Sequence, residues 1–243
     1  MIYYGQAGQD SIITQFFSEK NIKNGTFLDV GALDGIRFSN TFLLEQNGWN
    51  GICIEMHPSY FDMLKNNRPN SVCYSCAAAD EDGVSKEVSL NYRASLSTTD
   101  FSLEYYYENS DYKPYYGDRN IKEIDGYLNG RHEVLFRTIN SILDENSEKF
   151  SKINFVSVDI DGSEKMALPH LDLDKCNPEL LSLEHTVLGD DYMIKYANEY
   201  GYTPALRIGS DIFFVKDVDD IDLIKRLSVI GEQYHNTHPV EEN

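Results

Sequence analysis

The ten residues Thr26-Phe-Leu-Asp-Val-Gly-Ala-Leu-Asp-Gly35 constrain this chain more than any others. A short apolar run ends in two glycines four apart, and a second apolar segment, Ser39 to Gln46, then stops at Asn47-Gly48. That is the signature of a strand, a tight turn and a helix. The unit recurs. Gly51-Ile-Cys-Ile-Glu55 reads as a buried strand, and Pro58 stands where a first-turn proline starts a helix carrying Phe61, Met63 and Leu64. Val72 to Ala78 reads as a third strand. Strands alternating with helices imply a parallel sheet with right-handed crossovers. Asn154 to Asp159 and Leu180 to Glu184 supply a fourth and fifth strand, each ending in a carboxylate. Thr203 to Ile208 and Ile212 to Lys216 are joined by Gly209-Ser210, too short for a parallel crossover, so an antiparallel hairpin closes the sheet. Helices are expected at Asp10 onward (Ile12, Ile13, Phe16 and Phe17, with Asp10 as cap), Thr138 to Glu148, Asp191 to Tyr200 and Asp219 to Ile230, and alternation suggests an extra strand from Lys86 to Arg93.

Composition narrows the partners. The 243 residues, 41% hydrophobic, fit one domain with a single large core, taken as residues 1–243. With 21 basic and 40 acidic residues the formal charge is −19, which repels nucleic-acid backbones and anionic lipid surfaces and leaves small molecules or neutral glycans. No apolar run approaches the roughly 20 residues needed to span a bilayer, and the start of the chain lacks a signal-peptide pattern. Four cysteines, three of them in apolar strand-like runs, fit a reducing, cytoplasmic setting, and the lone C-x-x-C of Cys73 and Cys76 has no second pair for zinc. Eight of the 17 tyrosines fall between Tyr92 and Tyr127. The segment from about 93 to 135 therefore reads as an insertion, either a surface subdomain or an acceptor-binding lid.

In a doubly wound sheet, ligands collect beyond the carboxyl ends of the strands at the switch point, and the first strand delivers Asp29, Gly31 and Gly35 there. The spacing G-x-x-x-G departs from the dinucleotide fingerprint G-x-G-x-x-G, and Asp29 and Asp34 would repel a pyrophosphate. This disfavours an NAD-linked oxidoreductase. S-adenosyl-L-methionine carries a sulfonium and an ammonium and no phosphate, so acidic residues suit it. Glu55, about 20 residues beyond the turn, ends the second strand where a carboxylate can accept both ribose hydroxyls.

Taken with these, five blocks resemble FkbM-type methyltransferases: Tyr4-Gly-Gln-Ala-Gly-Gln-Asp10, Phe27 to Gly35, Ser39-Asn-Thr41, Gly48 to Glu55, and Val158-Asp-Ile-Asp-Gly162. The resemblance runs from about Tyr4 to Lys216, with the tyrosine-rich stretch its least typical part. It implies a Rossmann-like, doubly wound α/β fold with a seven-stranded sheet, mostly parallel, and O-methylation, often of sugars or sugar-derived products. The candidate cofactor contacts are Gln6, Asp29, Gly31, Ser39, Asn40, Glu55, Met56, Ala78, Ala79, Asp80 and Asp159, with the Ala78 to Asp80 turn near adenine. Asp161-Gly-Ser-Glu164 keeps the family's acidic residue followed by Gly and Glu. Gln9 departs from the family, where Glu is usual.

Methyl transfer to a hydroxyl needs a base or a metal to remove the proton. Asp159 and Asp161, two apart on a segment read as extended, point to one side, and Glu184 and His185 sit at the adjacent strand end. These four are the candidate ligands of a hard divalent cation, Mg²⁺ or Mn²⁺, with Asp159, Glu164 and His185 as candidate catalytic groups. Three alternatives stay open: the acids and His185 are merely structural; a metal-independent enzyme uses an Asp, Glu or His base; or a silent relative only binds glycans. Trp49 reads as core, His57 and His132 as solvent-facing, and Arg207 and Asp211 could pair across the final hairpin.

Overall fold

The Thr26–Val30 run becomes the third strand of a seven-stranded sheet, in a computed structural model that describes residues 3–90 and 130–235. In chain order the elements are α1 (Gln9–Glu19), β1 (Thr26–Val30), α2 (Phe42–Gln46), β2 (Asn50–Glu55), α3 (Pro58–Asn67), β3 (Val72–Ser75), β4 (Ala77–Ala78), β5 (Val84–Leu90), β6 (Gly130–Arg137), α4 (Ile139–Glu145), β7 (Phe155–Val158), α5 (Glu164–Ala167), a 3-10 turn (Leu168–His170), α6 (Leu173–Cys176), β8 (Leu180–Glu184), α7 (Asp190–Glu199), β9 (Thr203–Ile208), β10 (Asp211–Val215) and α8 (Val218–His235). The sheet order is β3-β2-β1-β7-β8-β10-β9. The first five of these strands pair in parallel, and β10 runs antiparallel to both β8 and β9. This is the doubly wound α/β sheet with its antiparallel hairpin that the sequence implies. The switch point falls between β1 and β7, because the chain lays β2 and β3 to one side of β1 and every later strand of the sheet to the other.

Both faces are covered, which is why the strands are apolar at nearly every position. Along β1 the side chains alternate: Phe27 packs with Ile12, Ile13, Phe16 and Phe17 of α1 and with Trp49, while Leu28 and Val30 pack with Ile139, Ile142 and Leu143 of α4. Burying each of these larger side chains contributes about 1.5–3 kcal/mol. The same alternation puts Asp29 on the α1 side of the sheet. Trp49 is core, as read.

Several readings are corrected. The run Val72 to Ala78 splits: Val72–Ser75 is the edge of the main sheet, and Ala77–Ala78 pairs in parallel with β6 in a second, three-stranded sheet of order β4-β6-β5. An apolar run does not tell which sheet it joins. Strand β6 begins inside the stretch assigned to the insertion; residues 91–129, and with them the proposed lid, lie outside the described residues. Cys73 packs against one face cluster and Cys76 against the other, so the C-x-x-C cannot close on one ion. Asp10 sits inside α1 rather than at its cap, where the left-handed Gly8 stands. Its carboxylate accepts from the backbone N–H of Tyr4 at 2.6 Å and Ser11 at 3.1 Å, tying the preceding strap to the helix. His57 is fully buried, its Nδ1 accepting the Ser59 N–H at the start of α3 and its ring 5.7 Å from that of His132, which is half-buried. Arg207 does not meet Asp211: the hairpin register sets Arg207 opposite Ile212, so its side chain leaves the other face from that of Asp211. Among the described residues no helix is long and apolar enough to cross a membrane.

Candidate cofactor and catalytic site

At the switch point the ends of β1, β2 and β7 surround a cleft of about 910 Å³, counted together with the open solvent at its mouth. Its floor is the Gly-rich turn. Gly31 and Ala32 both donate to the carbonyl of Ile54, at 2.9 and 3.0 Å, folding the turn across the end of β2. Gly31 has φ 90°, and a Cβ there would lie 1.8 Å from the carbonyl oxygen of Asp159. The sequence reading assigned this glycine to ligand approach; its first duty is to let the β1 and β7 ends touch. Gly31→Ala is expected to cost about 2–4 kcal/mol, the combined cost of a left-handed alanine and an overpacked contact. A chemical denaturation midpoint unchanged from the parent would refute this.

Glu55 closes the turn from the other side. Its carboxylate accepts from the N–H of Leu33 at 2.9 Å and of His57 at 2.7 Å, and burial pushes it up to about 7 in spite of those bonds. These backbone hydrogen bonds leave part of its acceptor capacity for a ligand. The residue that accommodates the turn, Leu33, is itself left-handed at φ 52°.

Asp29, Ser39 and Asn40 line the cleft opposite Glu55. Behind them lies Arg68, which is fully buried. Its Nε donates to Glu45 at 2.7 Å, NH2 to Thr41 Oγ1 at 2.8 Å and NH1 to the Gly35 carbonyl at 3.2 Å, with Asp29 at 3.8 Å. Thr41 also donates to Asp29. Burial raises the Asp29 pKa above the usual carboxylate range, against the pull of Arg68 and Thr41. Ser39 Oγ accepts the Phe42 and Thr41 N–H groups and so shapes the entry to α2. Asn40 donates through Nδ2 to Ser157 Oγ at 3.2 Å, and its buried Oδ1 has no partner; the buried Ser163 Oγ, on the same cleft, has none either.

Beyond β7 and β8 three carboxylates converge. Asp159, Asp161 and Glu184 each present an oxygen within 4.8 Å of the others. Their meeting does not come from an extended segment, as expected: β7 ends at Val158 and Asp161 is left-handed, φ 51°, followed by Gly162 at 97°. Asp161 N–H donates to Glu184 at 3.1 Å, and Glu164 accepts from the N–H of Ile160 and of Gly162, both at 2.8 Å. Glu164 thus fixes the turn that delivers Asp161. Burial, then the charge of Glu184, pushes Glu164 up to about 7. Desolvation, then Glu184, Asp161 and Asp211, hold Asp159 well above the usual range.

His185 is not part of this cluster. Its Nδ1 lies 2.9 Å from Asp190 and its Nε2 receives Arg207 Nε at 3.1 Å, and Arg207 also pairs with Asp190 at 3.1 Å. Of the candidate cofactor contacts, Asp29, Gly31, Ser39, Asn40, Glu55, Met56, Ala78 and Asp159 line the cleft. Ala79 packs in the small sheet's core, Asp80 is exposed, and Gln6 is exposed at the hairpin tip, where its Oε1 accepts from Ser210 Oγ at 3.4 Å. Sequence reasoning missed Arg68 and the pair Gln9–Asp211, which are joined at 2.7 Å across 202 positions. No local pattern marks either one.

The family model for the methyltransferase FkbM domain matches residues 29–204. No curated protein matches the sequence. Among solved structures, a TehB-like SAM-dependent methyltransferase from Corynebacterium glutamicum is 12% identical, with 89% of each chain covered and a TM-score of 0.41. A precorrin-6y C5,15-methyltransferase from Geobacter metallireducens is 10% identical, with 83% of this chain and 85% of that one covered and a TM-score of 0.36.

Proposed function

This chain belongs to the FkbM family of S-adenosylmethionine-dependent methyltransferases, and we propose that it methylates a sugar hydroxyl, on a glycan or a glycosylated small molecule, with Mg²⁺ or Mn²⁺ held by Asp159, Asp161 and Glu184. The observation that carries this reading is the three-carboxylate cluster beside the cofactor cleft.

The cleft residues fit the cofactor. Glu55 has acceptor capacity left for ribose hydroxyls, and the unpartnered Asn40 Oδ1 with the carboxylate of Asp29 suits an ammonium. When bound, S-adenosyl-L-methionine supplies an electrophilic methyl group on its sulfonium. The acids fit a hard cation, since carboxylates this close repel one another unless a cation or a proton intervenes. A divalent ion held there would supply Lewis acidity toward an acceptor hydroxyl. Asp161 and Glu184 would hold it, and Asp159, at the cleft wall, would hold it or take the hydroxyl proton. His185, engaged on both ring nitrogens, acts in this reading as a support for the loop after β8, and Glu164 as a support for the turn after β7. The acidic surface favours a neutral acceptor over a polyanionic one, and the four free thiols suit a reducing cytoplasm. The tyrosine-rich segment belongs to this proposal as the acceptor-binding lid.

A second reading is metal-independent, with Asp159 as general base; its raised pKa favours that role. Labelled-methyl transfer to a sugar panel, with EDTA and then Mn²⁺ or Mg²⁺ restored, separates the two. Loss of turnover in EDTA and recovery with metal are expected. Full activity in EDTA would leave Asp159 acting as a base alone, and transfer to amines but no hydroxyl would overturn O-methylation.

A further inference from the structure

The buried Asp211 lies at the start of β10, one strand beyond β8, and is neither a candidate ligand nor a candidate base in the chemistry above. Two side chains donate to it, Gln9 Nε2 from α1 at 2.7 Å and Ser182 Oγ from β8 at 3.1 Å, and Ser157, the register partner of Ser182, brings the Asn40 amide alongside from the loop before α2. An ionised carboxylate only accepts hydrogen bonds, so the Asn40 group facing it must be the NH2 end. Ser157 Oγ takes the same Nδ2 at 3.2 Å. The Asn40 NH2 group is thereby turned into the protein, and Oδ1, buried and unpartnered on a cleft-lining residue, is what remains.

We infer that Asp211 is a positioning residue for cofactor selection: held by Gln9 and Ser182, it orients the Asn40 amide so that Oδ1 is the atom offered to the cofactor's α-ammonium. This rests on the cofactor reading and deepens it. An amide has two ends of nearly equal size, and the wrong one would set N–H donors against a cation. The carboxylate behind Asn40 removes that choice. Gln9 serves the same end. A glutamate at position 9, usual in the family, would place a second carboxylate 2.7 Å from Asp211 and require a shared proton, and a protonated Asp211 could donate to Asn40 Oδ1 and release the amide. Gln9 brings donor hydrogens instead. Its own Oε1 accepts the Ala7 N–H at 2.6 Å, which fixes the orientation of the Gln9 amide as well.

The test compares two ligands that share an adenosine: S-adenosylhomocysteine, which carries the ammonium, and 5′-methylthioadenosine, which lacks the amino-acid group. Binding of each is measured by calorimetry. Asp211→Asn puts an amide where the carboxylate was, able to donate to Asn40 Oδ1. The expected result is about tenfold weaker S-adenosylhomocysteine binding, in the range for losing a hydrogen bond to a charged group, with 5′-methylthioadenosine changed less than about twofold on the same criterion. Adding Asn40→Asp to Asp211→Asn should restore the preference, because both oxygens of a carboxylate at position 40 accept whichever way it turns and the new amide at 211 can donate to it. Should Asp211→Asn fail to fold, Ser182→Ala removes one of the two side chains that hold Asp211 and should shift the preference in the same direction. An unchanged ratio of the two affinities, equal losses for both ligands, or no recovery in the exchanged pair would overturn the assignment. Failure of the cofactor reading itself would look different: the parent protein would bind neither ligand.

Discussion

Replacing Arg68 with methionine is expected to lower the unfolding free energy by about 3–5 kcal/mol, the usual cost of removing one partner from a buried ion pair. The argument rests on what stays behind. Glu45 and Asp29 are both buried, and Arg68 is the cation that faces them. Burial alone would pull the guanidinium pKa down, and the groups packed around it, Cys53, Asp29 and Glu45, more than offset that, leaving it raised. Methionine keeps much of the volume but strands the two carboxylates and removes donors from Thr41 Oγ1 and the Gly35 carbonyl. At this chain length the loss corresponds to a melting-temperature drop of roughly 6–20 °C. The pH dependence has a definite sign. Asp29 has a folded pKa above its unfolded value, so its protonation favours the folded state, and that contribution is lost as pH rises through the folded pKa. Removing Arg68, which lowers that pKa, raises it further. The deficit should therefore be largest at neutral pH and shrink in acid. A loss under about 1 kcal/mol in urea denaturation would refute the argument, because it would place the network in the range of exposed pairs. Asp29 and Ser39 line the cleft, so cofactor affinity should fall with stability.

The sequence carried the sheet well, for a physical reason. Parallel strands buried on both faces are written as apolar runs, and Gly31, Gly48 and Gly209 mark turns that other residues enter only under strain. The strand-end acids Asp29, Glu55, Asp159 and Glu184 were legible because a carboxylate closing an apolar run stands out. What stayed hidden depends on distant segments meeting. Arg68 gives no sign at the end of α3 that Glu45 and Asp29 will fold around it. Gln9 looks like a departure from a family pattern until Asp211, 202 positions away, is seen to need a donor. His185 reads as a ligand beside Glu184, yet successive strand residues face opposite ways, and Asp190 and Arg207 wait on its side. Asp161 reached the cluster through a left-handed turn that no alternation rule describes. Pattern reading finds the scaffold and the kinds of chemistry; the pairing of buried charges is tertiary.

Asp159→Asn should lower turnover by about 10²–10⁴-fold, the contribution expected of a general base or of a ligand whose loss disables a metal. S-adenosylhomocysteine affinity should hold within about threefold, because an isosteric amide disturbs none of the three groups that set the cofactor's place. Glu55 ends β2, Asn40 lies on the loop before α2 and Asp211 begins β10, and the contact of Gly31 with position 159 is made by the backbone carbonyl. Stability should move the other way. Asp159 is an acid with its folded pKa raised by desolvation and by Glu184, Asp161 and Asp211, so the folded state is favoured while it is protonated and penalised as pH rises through that pKa. An amide carries no such penalty, and in EDTA the variant should melt higher than the parent near pH 8, with the difference closing in acid. Gain of stability with loss of turnover is the mark of a group kept for chemistry against its own electrostatic cost. With divalent metal present the parent should recover part of the gap, because the cation it binds neutralises the cluster. Parent-like turnover in the variant would remove Asp159 from the reaction, and loss of S-adenosylhomocysteine binding in step with turnover would move it into the cofactor site.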